Sequence, residues 1–273
     1  MKNLFLKGAL FLALPLIFHS CKKNDNTPSV TVVKEWTVAL SAKNENPAPA
    51  GRNETGTATF KLMSNNSLMY NFSVSGLASG DALTAAHFHT GNAGSNGGVI
   101  LSFNPTFSGS AASGTIVNIR QTLVDSLKSD ANEIYLNVHS TQVASGIVRS
   151  QINTKVELAM DIALSGTNEV PAIITSATGV ARLRLTADKK LYSIVTVGSL
   201  QVSDALLFAH IHRGAAGVNG TVMVTLAAAV GDFGINKVFT LDDATYASMK
   251  NDALYVNAHS TLYTSGVVRG QIR

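Results

Sequence analysis

The chain has 273 residues, 45% hydrophobic and 14% charged, with a formal net charge of +4. That composition excludes an intrinsically disordered chain. Its scattered Lys and Arg, with no basic run interleaved with aromatics, argue against nucleic acid as a partner, and a single cysteine excludes an intrachain disulfide.

Lys2 and Lys7 precede an apolar run from Ala9 to Phe18. The run is too short to span a bilayer and predicts a signal peptide over residues 1–20. Its removal lowers the net charge by the two lysines. Cys21 follows directly in Ile17-Phe18-His19-Ser20-Cys21, which resembles a bacterial lipobox. Acylation of Cys21 would anchor the chain to a membrane, each buried CH₂ contributing about 0.8 kcal/mol. The expected location is therefore the cell envelope, at the outer membrane, facing the periplasm or the exterior. Polar residues after Cys21 predict a lipid-anchored linker over 21–34.

Beyond the linker the sequence repeats itself. Ala86-His87-Phe88-His89-Thr90-Gly91 recurs as Ala209-His210-Ile211-His212-Arg213-Gly214, each followed by an Asn-Gly loop. Tyr135-Leu136-Asn137-Val138-His139-Ser140-Thr141 recurs as Tyr255-Val256-Asn257-Ala258-His259-Ser260-Thr261. Ser145-Gly146-Ile147-Val148-Arg149-Ser150-Gln151-Ile152 recurs as Ser265-Gly266-Val267-Val268-Arg269-Gly270-Gln271-Ile272. The starts, Asn44-Glu45-Asn46-Pro47 and Asn168-Glu169-Val170-Pro171, match more loosely. The spacing between partners drifts by only a few residues, so these are tandem domains, 35–153 and 154–273. Each is large enough to bury its own core.

Within each unit the patterns are mostly strands. Thr57–Met63 and Ser67–Val74 alternate around Ser64-Asn65-Asn66, which predicts a hairpin. Val180–Thr186 and Leu191–Val197 do the same around Ala187–Lys190. Thr122 with Asp125, and Thr240 with Asp243, are spaced as in a capping box and predict one short helix per unit. The expected fold class is mainly all-β: two tandem Greek-key β-sandwich or barrel domains.

Together the Glu-x-Pro start, the Ala-His-x-His-x-Gly and Tyr-x-Asn-x-His-Ser-Thr motifs and the Gly-x-x-Arg-x-Gln-Ile end resemble the CHRD domain. That family takes its name from chordin, a secreted binder of bone morphogenetic proteins, and occurs in bacterial envelope proteins. The resemblance covers residues 35–273 in two copies. It implies a β-rich, immunoglobulin-like or barrel fold and an extracellular setting, but no settled activity. The chain departs from the family pattern at Ala144-Ser145 and Thr264-Ser265, where a Pro often stands before the Gly. It departs also at Ile147 and Val267, where a Glu often follows it.

On a strand, residues two apart share a face. His87 and His89 therefore project together, as do Tyr135, Asn137 and His139, and Arg149 with Gln151. Each unit offers three histidines: His87, His89 and His139, then His210, His212 and His259. Two readings follow. One is a copper or zinc site of three imidazoles with an open position. Its His-x-His followed by a distant strand His resembles the copper-ligand layout of Cu/Zn superoxide dismutases, without their disulfide or zinc loop. The other is a hydrogen-bonded network in a non-enzymatic module for a protein or glycan partner. Glu45, Asn137, Arg149 and Gln151, with Glu169, Asn257, Arg269 and Gln271, are the expected supporting polar residues. Glu45 is placed to pair with Arg149, and Glu169 with Arg269. No Gly-x-Ser-x-Gly elbow, repeated carboxylate pair or phosphate loop points to a hydrolase or nucleotide site.

Overall fold

The computed structural model describes residues 29–273. The signal-peptide and Cys21 assignments lie outside the described residues, as does most of the expected linker. Strand β1 (Val32–Ser41) begins ahead of the boundary expected at residue 35.

Copy 1 continues with β2 (Thr55–Met63), β3 (Leu68–Ser75), β4 (Leu83–Thr90), β5 (Val99–Ser102) and β6 (Ala111–Ile116). Helix α1 (Gln121–Lys128), β7 (Ile134–Ser140) and β8 (Val148–Gln151) complete it. Copy 2 repeats the order. Its strands are β9 (Val156–Ser165), β10 (Thr178–Thr186), β11 (Lys190–Gly198), β12 (Leu206–Arg213), β13 (Val222–Ala227) and β14 (Lys237–Thr240), followed by α2 (Asp243–Asn251), β15 (Leu254–Ser260) and β16 (Val268–Gln271).

Each copy is one antiparallel eight-stranded sheet, ordered β5-β4-β7-β8-β1-β2-β3-β6 and β13-β12-β15-β16-β9-β10-β11-β14. Strands β1 to β3 form a meander. The chain then crosses to β4 at the far side and returns to β6 beside β3, which is Greek-key connectivity. The sheets curl, one into a half-barrel and one into a nearly closed barrel. Curling buries the inner residues of the central strands, while the edge strands β5 and β14 keep no fully buried residue. Both expected hairpins are present, and Asn66 and Lys189 take the positive φ that their tight turns need.

The cores differ in kind. Phe60, Phe72, Phe88 and Phe103 interlock in copy 1, with Phe88 4.9 Å from both Phe60 and Phe103 between ring centres. The matched positions in copy 2 include Leu183, Val195 and Ile211, so that core is aliphatic.

The helices are where expected, but their caps are not. Arg120 precedes α1 without a side-chain cap, and Thr122 lies inside the helix. Asp242, not Thr240, caps α2 by accepting from the Thr245 N–H. Leu123 and Leu127, and Leu241 and Met249, are buried and turn the apolar sides of the helical segments to the core.

Residues 31–273 form one compact unit. The outer face of β9–β11 packs on loops of copy 1. Arg184, 1% exposed, pairs with Asp161 at 2.8 Å and donates to the Glu45 carbonyl. Arg182 donates to Asn46 Oδ1 at 3.0 Å, the Tyr192 hydroxyl to Glu133 at 2.8 Å and Asn236 to Asn92 Oδ1 at 2.9 Å.

Candidate metal centre

The register shows how local sequence builds the site. His87 pairs across from Asn137 and His89 from Tyr135, while Asn137 faces Arg149 and Tyr135 faces Gln151. All these side chains lie on the outer face of β4–β7–β8, because Ala86, Phe88, Leu136 and Val138 fill the core on the inner face. Copy 2 has the same register, His210 with Asn257 and His212 with Tyr255. A β-bulge opposite Phe88/His89, repeated opposite Ile211/His212, adds local twist beside the histidines.

Both sets of three histidines converge. In each, one nitrogen per ring lies within 4.8 Å of the others. His87 Nδ1 lies 3.0 Å from His139 Nε2, and His210 Nδ1 lies 3.3 Å from His259 Nε2. Backbone carbonyls set the tautomers. His89 Nδ1 donates to the Gly97 carbonyl at 2.9 Å and His139 Nδ1 to that of Ala144 at 2.9 Å. His212 and His259 repeat this with Gly220 at 3.0 Å and Thr264 at 2.9 Å. A carbonyl only accepts, so in each of these rings Nδ1 carries the proton and Nε2 presents a lone pair. His89 Nε2 and His212 Nε2 are buried and have no partner. An unpaired buried acceptor costs about 1–3 kcal/mol unless something fills the site.

Behind the histidines stands a second layer. The Tyr135 ring stacks on His89 at 4.9 Å and 8°, and Tyr255 stacks on His212 at 4.8 Å and 4°. On these tyrosines lie the guanidinium carbons of Arg149 and Arg269, 3.5 and 3.4 Å from the ring centres. Arg149 is held by Asn96 and the carbonyls of Asn92 and Ser95, and Arg269 by Asn219 and the carbonyls of Ala215 and Val218. Gln151 and Gln271 tie down the Gly91 and Gly214 carbonyls. The tyrosine hydroxyls accept from the Gly97 and Gly220 N–H groups at 3.2 Å. Only glycine fits there: a Cβ on Gly97 would meet the Thr90 carbonyl oxygen at 1.8 Å, and one on Gly220 that of Arg213 at 1.4 Å.

The glutamates sit differently from the sequence expectation. Neither forms an ion pair with its arginine; Asn137 donates to Glu45 at 3.3 Å and Asn257 to Glu169 at 2.8 Å. The arginines are occupied by carbonyls and asparagines instead. Burial pushes the Glu45 carboxyl up to about 8 against the pull of Arg149, Arg184 and Asn137. It pushes Glu169 up to about 7 against Arg269 and Asn257.

Burial also lowers His87, His89, His210, His212 and His259. His87 falls through desolvation and the neighbouring imidazoles of His139 and His89. His210 falls to about 4 for the same reasons, with His259 and His212 as neighbours. His89, His212 and His259 are lowered mainly by desolvation. Neutral imidazoles of set tautomer are the form a metal takes.

Sequence reasoning placed all six histidines and the polar residues around them. It missed the stacking role of Tyr135 and Tyr255, although their place on the histidine face was the available signal. Phe208 was also missed. Two residues before His210 on the same face, its ring packs 5.1 Å from His210 and 4.6 Å from His259.

Fold and site together define a tandem β-barrel-like protein with a three-histidine cluster on the outer sheet face of each copy. The CHRD domain family matches residues 36–152 and again 160–272, and the chain belongs to that family. Comparison with curated proteins and with solved structures gives no match.

Proposed function

We propose that each copy is a transition-metal module that holds copper or zinc through three imidazoles. The observation that carries this reading is the buried, unpartnered Nε2 of His89 and of His212, each aimed at two further imidazole nitrogens. Those bonds to carbonyls are the outer contacts that orient metal-bound histidines. His139 and His259 would ligate through Nε2, and His87 and His210 through Nδ1, where a metal replaces the proton now shared between the rings. An all-nitrogen set suits copper or zinc rather than calcium or magnesium. The centres would be carried by a non-enzymatic module, tethered to the cell envelope through Cys21, with a protein or glycan as a further partner.

Elemental analysis and calorimetric titration of the purified chain test this. Two equivalents of copper or zinc are expected, one after His89→Ala, and none after His89→Ala with His212→Ala. Retention of both equivalents in the double variant, or no bound metal in the wild type, would refute the reading. For the tether, Cys21→Ser is expected to release the protein from the membrane fraction.

A further inference from the structure

The two centres share their ligands but not their surroundings. At the position of Phe208 on the histidine face, copy 1 has Ala85. The Phe208 ring packs against both imidazoles of the His210–His259 pair, whose facing nitrogens are 3.3 Å apart. His259 is buried there, whereas its counterpart His139 is half-buried and its bond to the Ala144 carbonyl lies at the exposed surface. Nothing aromatic replaces Phe208 in copy 1: the rings within stacking distance of His87 are His89 and His139.

Three imidazoles leave a metal at least one coordination position short, and that position is filled by water or an exogenous ligand if it can be reached. The local charge decides which ligands are welcome. No carboxylate joins the cluster of ligand rings at either centre. A guanidinium stands behind the stacked tyrosine in both copies. The field therefore favours a small anion. Shape then decides between the centres, because a phenyl ring offers no donor and excludes water from the side it covers.

We infer that the centres are unequal: the His87/His89/His139 centre keeps a coordination position open to a small anionic ligand, and Phe208 closes that position at His210/His212/His259. This rests on the metal reading above. It makes copy 1 the centre that exchanges ligands and copy 2 the centre that retains its metal.

Azide titration of the chain loaded with two equivalents of Cu(II), followed by electron paramagnetic resonance, tests the inequality. One copper signal is expected to respond with an affinity at least about tenfold higher than the other. His87→Ala should remove the responsive signal. Phe208→Ala should make both coppers respond alike, and Ala85→Phe should suppress the response of copy 1. The Ala85→Phe arm stands by itself if Phe208→Ala fails to fold. Two bound coppers with equal azide response in the wild type would overturn the inequality while leaving the metal reading intact. A chain that binds no copper at either centre would overturn both.

Discussion

In copy 1 the loop that carries Gly97 is held from outside its own barrel. Asn236 reaches Asn92, and Arg182 fixes Asn46, which itself donates to the Gly94 carbonyl and accepts from Asn96 through its own carbonyl. The matching loop of copy 2 is hydrogen-bonded within its own copy, by Asn219 to the Val170 carbonyl and by Arg269 to Ala215 and Val218. The centres nevertheless agree, ring for ring and carbonyl for carbonyl. The geometry around the histidines is thus set within each copy, by strand register and the Arg-Tyr-His stack. Docking adds a clamp to one copy and Phe208 adds a shield to the other.

The largest difference between the copies is expected at Arg184. Its counterpart, Lys61, lies on an exposed strand face in a loose pair with Glu35 at 3.3 Å. Arg184 is buried and donates to the Met160, Leu183 and Glu45 carbonyls, whereas its partner Asp161 keeps access to solvent, so its loss leaves buried acceptors unpaired. Arg184→Ala is expected to cost about 3 kcal/mol in chemical denaturation, whereas Lys61→Ala stays within about 0.5 kcal/mol. Equal, small costs would show that docking contributes nothing to stability.

The two buried glutamates differ in the pH at which they destabilise the fold. Glu45 rises from an ordinary 4.5 to about 8 and Glu169 to about 7. A carboxyl raised in the folded state binds its proton more tightly there than in the unfolded chain. Stability from it is therefore full below 4.5 and lost as pH climbs through the folded value. Glu45→Gln should leave stability at pH 4.5 little changed and exceed the wild type at pH 8 by more than about 1 kcal/mol. Glu169→Gln should show the same crossover, complete about one unit earlier. A pH-independent difference from wild type would rule out buried neutral carboxyls.

The smallest effect is expected at the tyrosines. Tyr135→Phe and Tyr255→Phe each remove one bond to a glycine N–H at 3.2 Å, worth about 1 kcal/mol. The copy 1 variant should lose less metal affinity than the copy 2 variant, because Asn46 and Asn236 still hold its loop. Equal losses in the titrations would mean that the clamp does not support the Gly97 carbonyl.

From the sequence alone, the duplication, the strand-rich class, both hairpins and the shared faces of the histidines were legible. Those features follow from period-two alternation and matched motifs, which depend only on neighbours along the chain. Convergence of His139 on His87 and His89 needed the pairing of β4 with β7, and strand order is not written in local periodicity. The glutamates show the same limit: opposite charges in matched motifs implied ion pairs, but the folded loops gave Arg149 and Arg269 carbonyls and left Glu45 and Glu169 to asparagines. Docking of the copies, the unpartnered Nε2 atoms and the shield at Phe208 were likewise decided only by tertiary structure. Each depends on which groups meet across space after water is excluded, and that meeting is set by the packing of whole sheets.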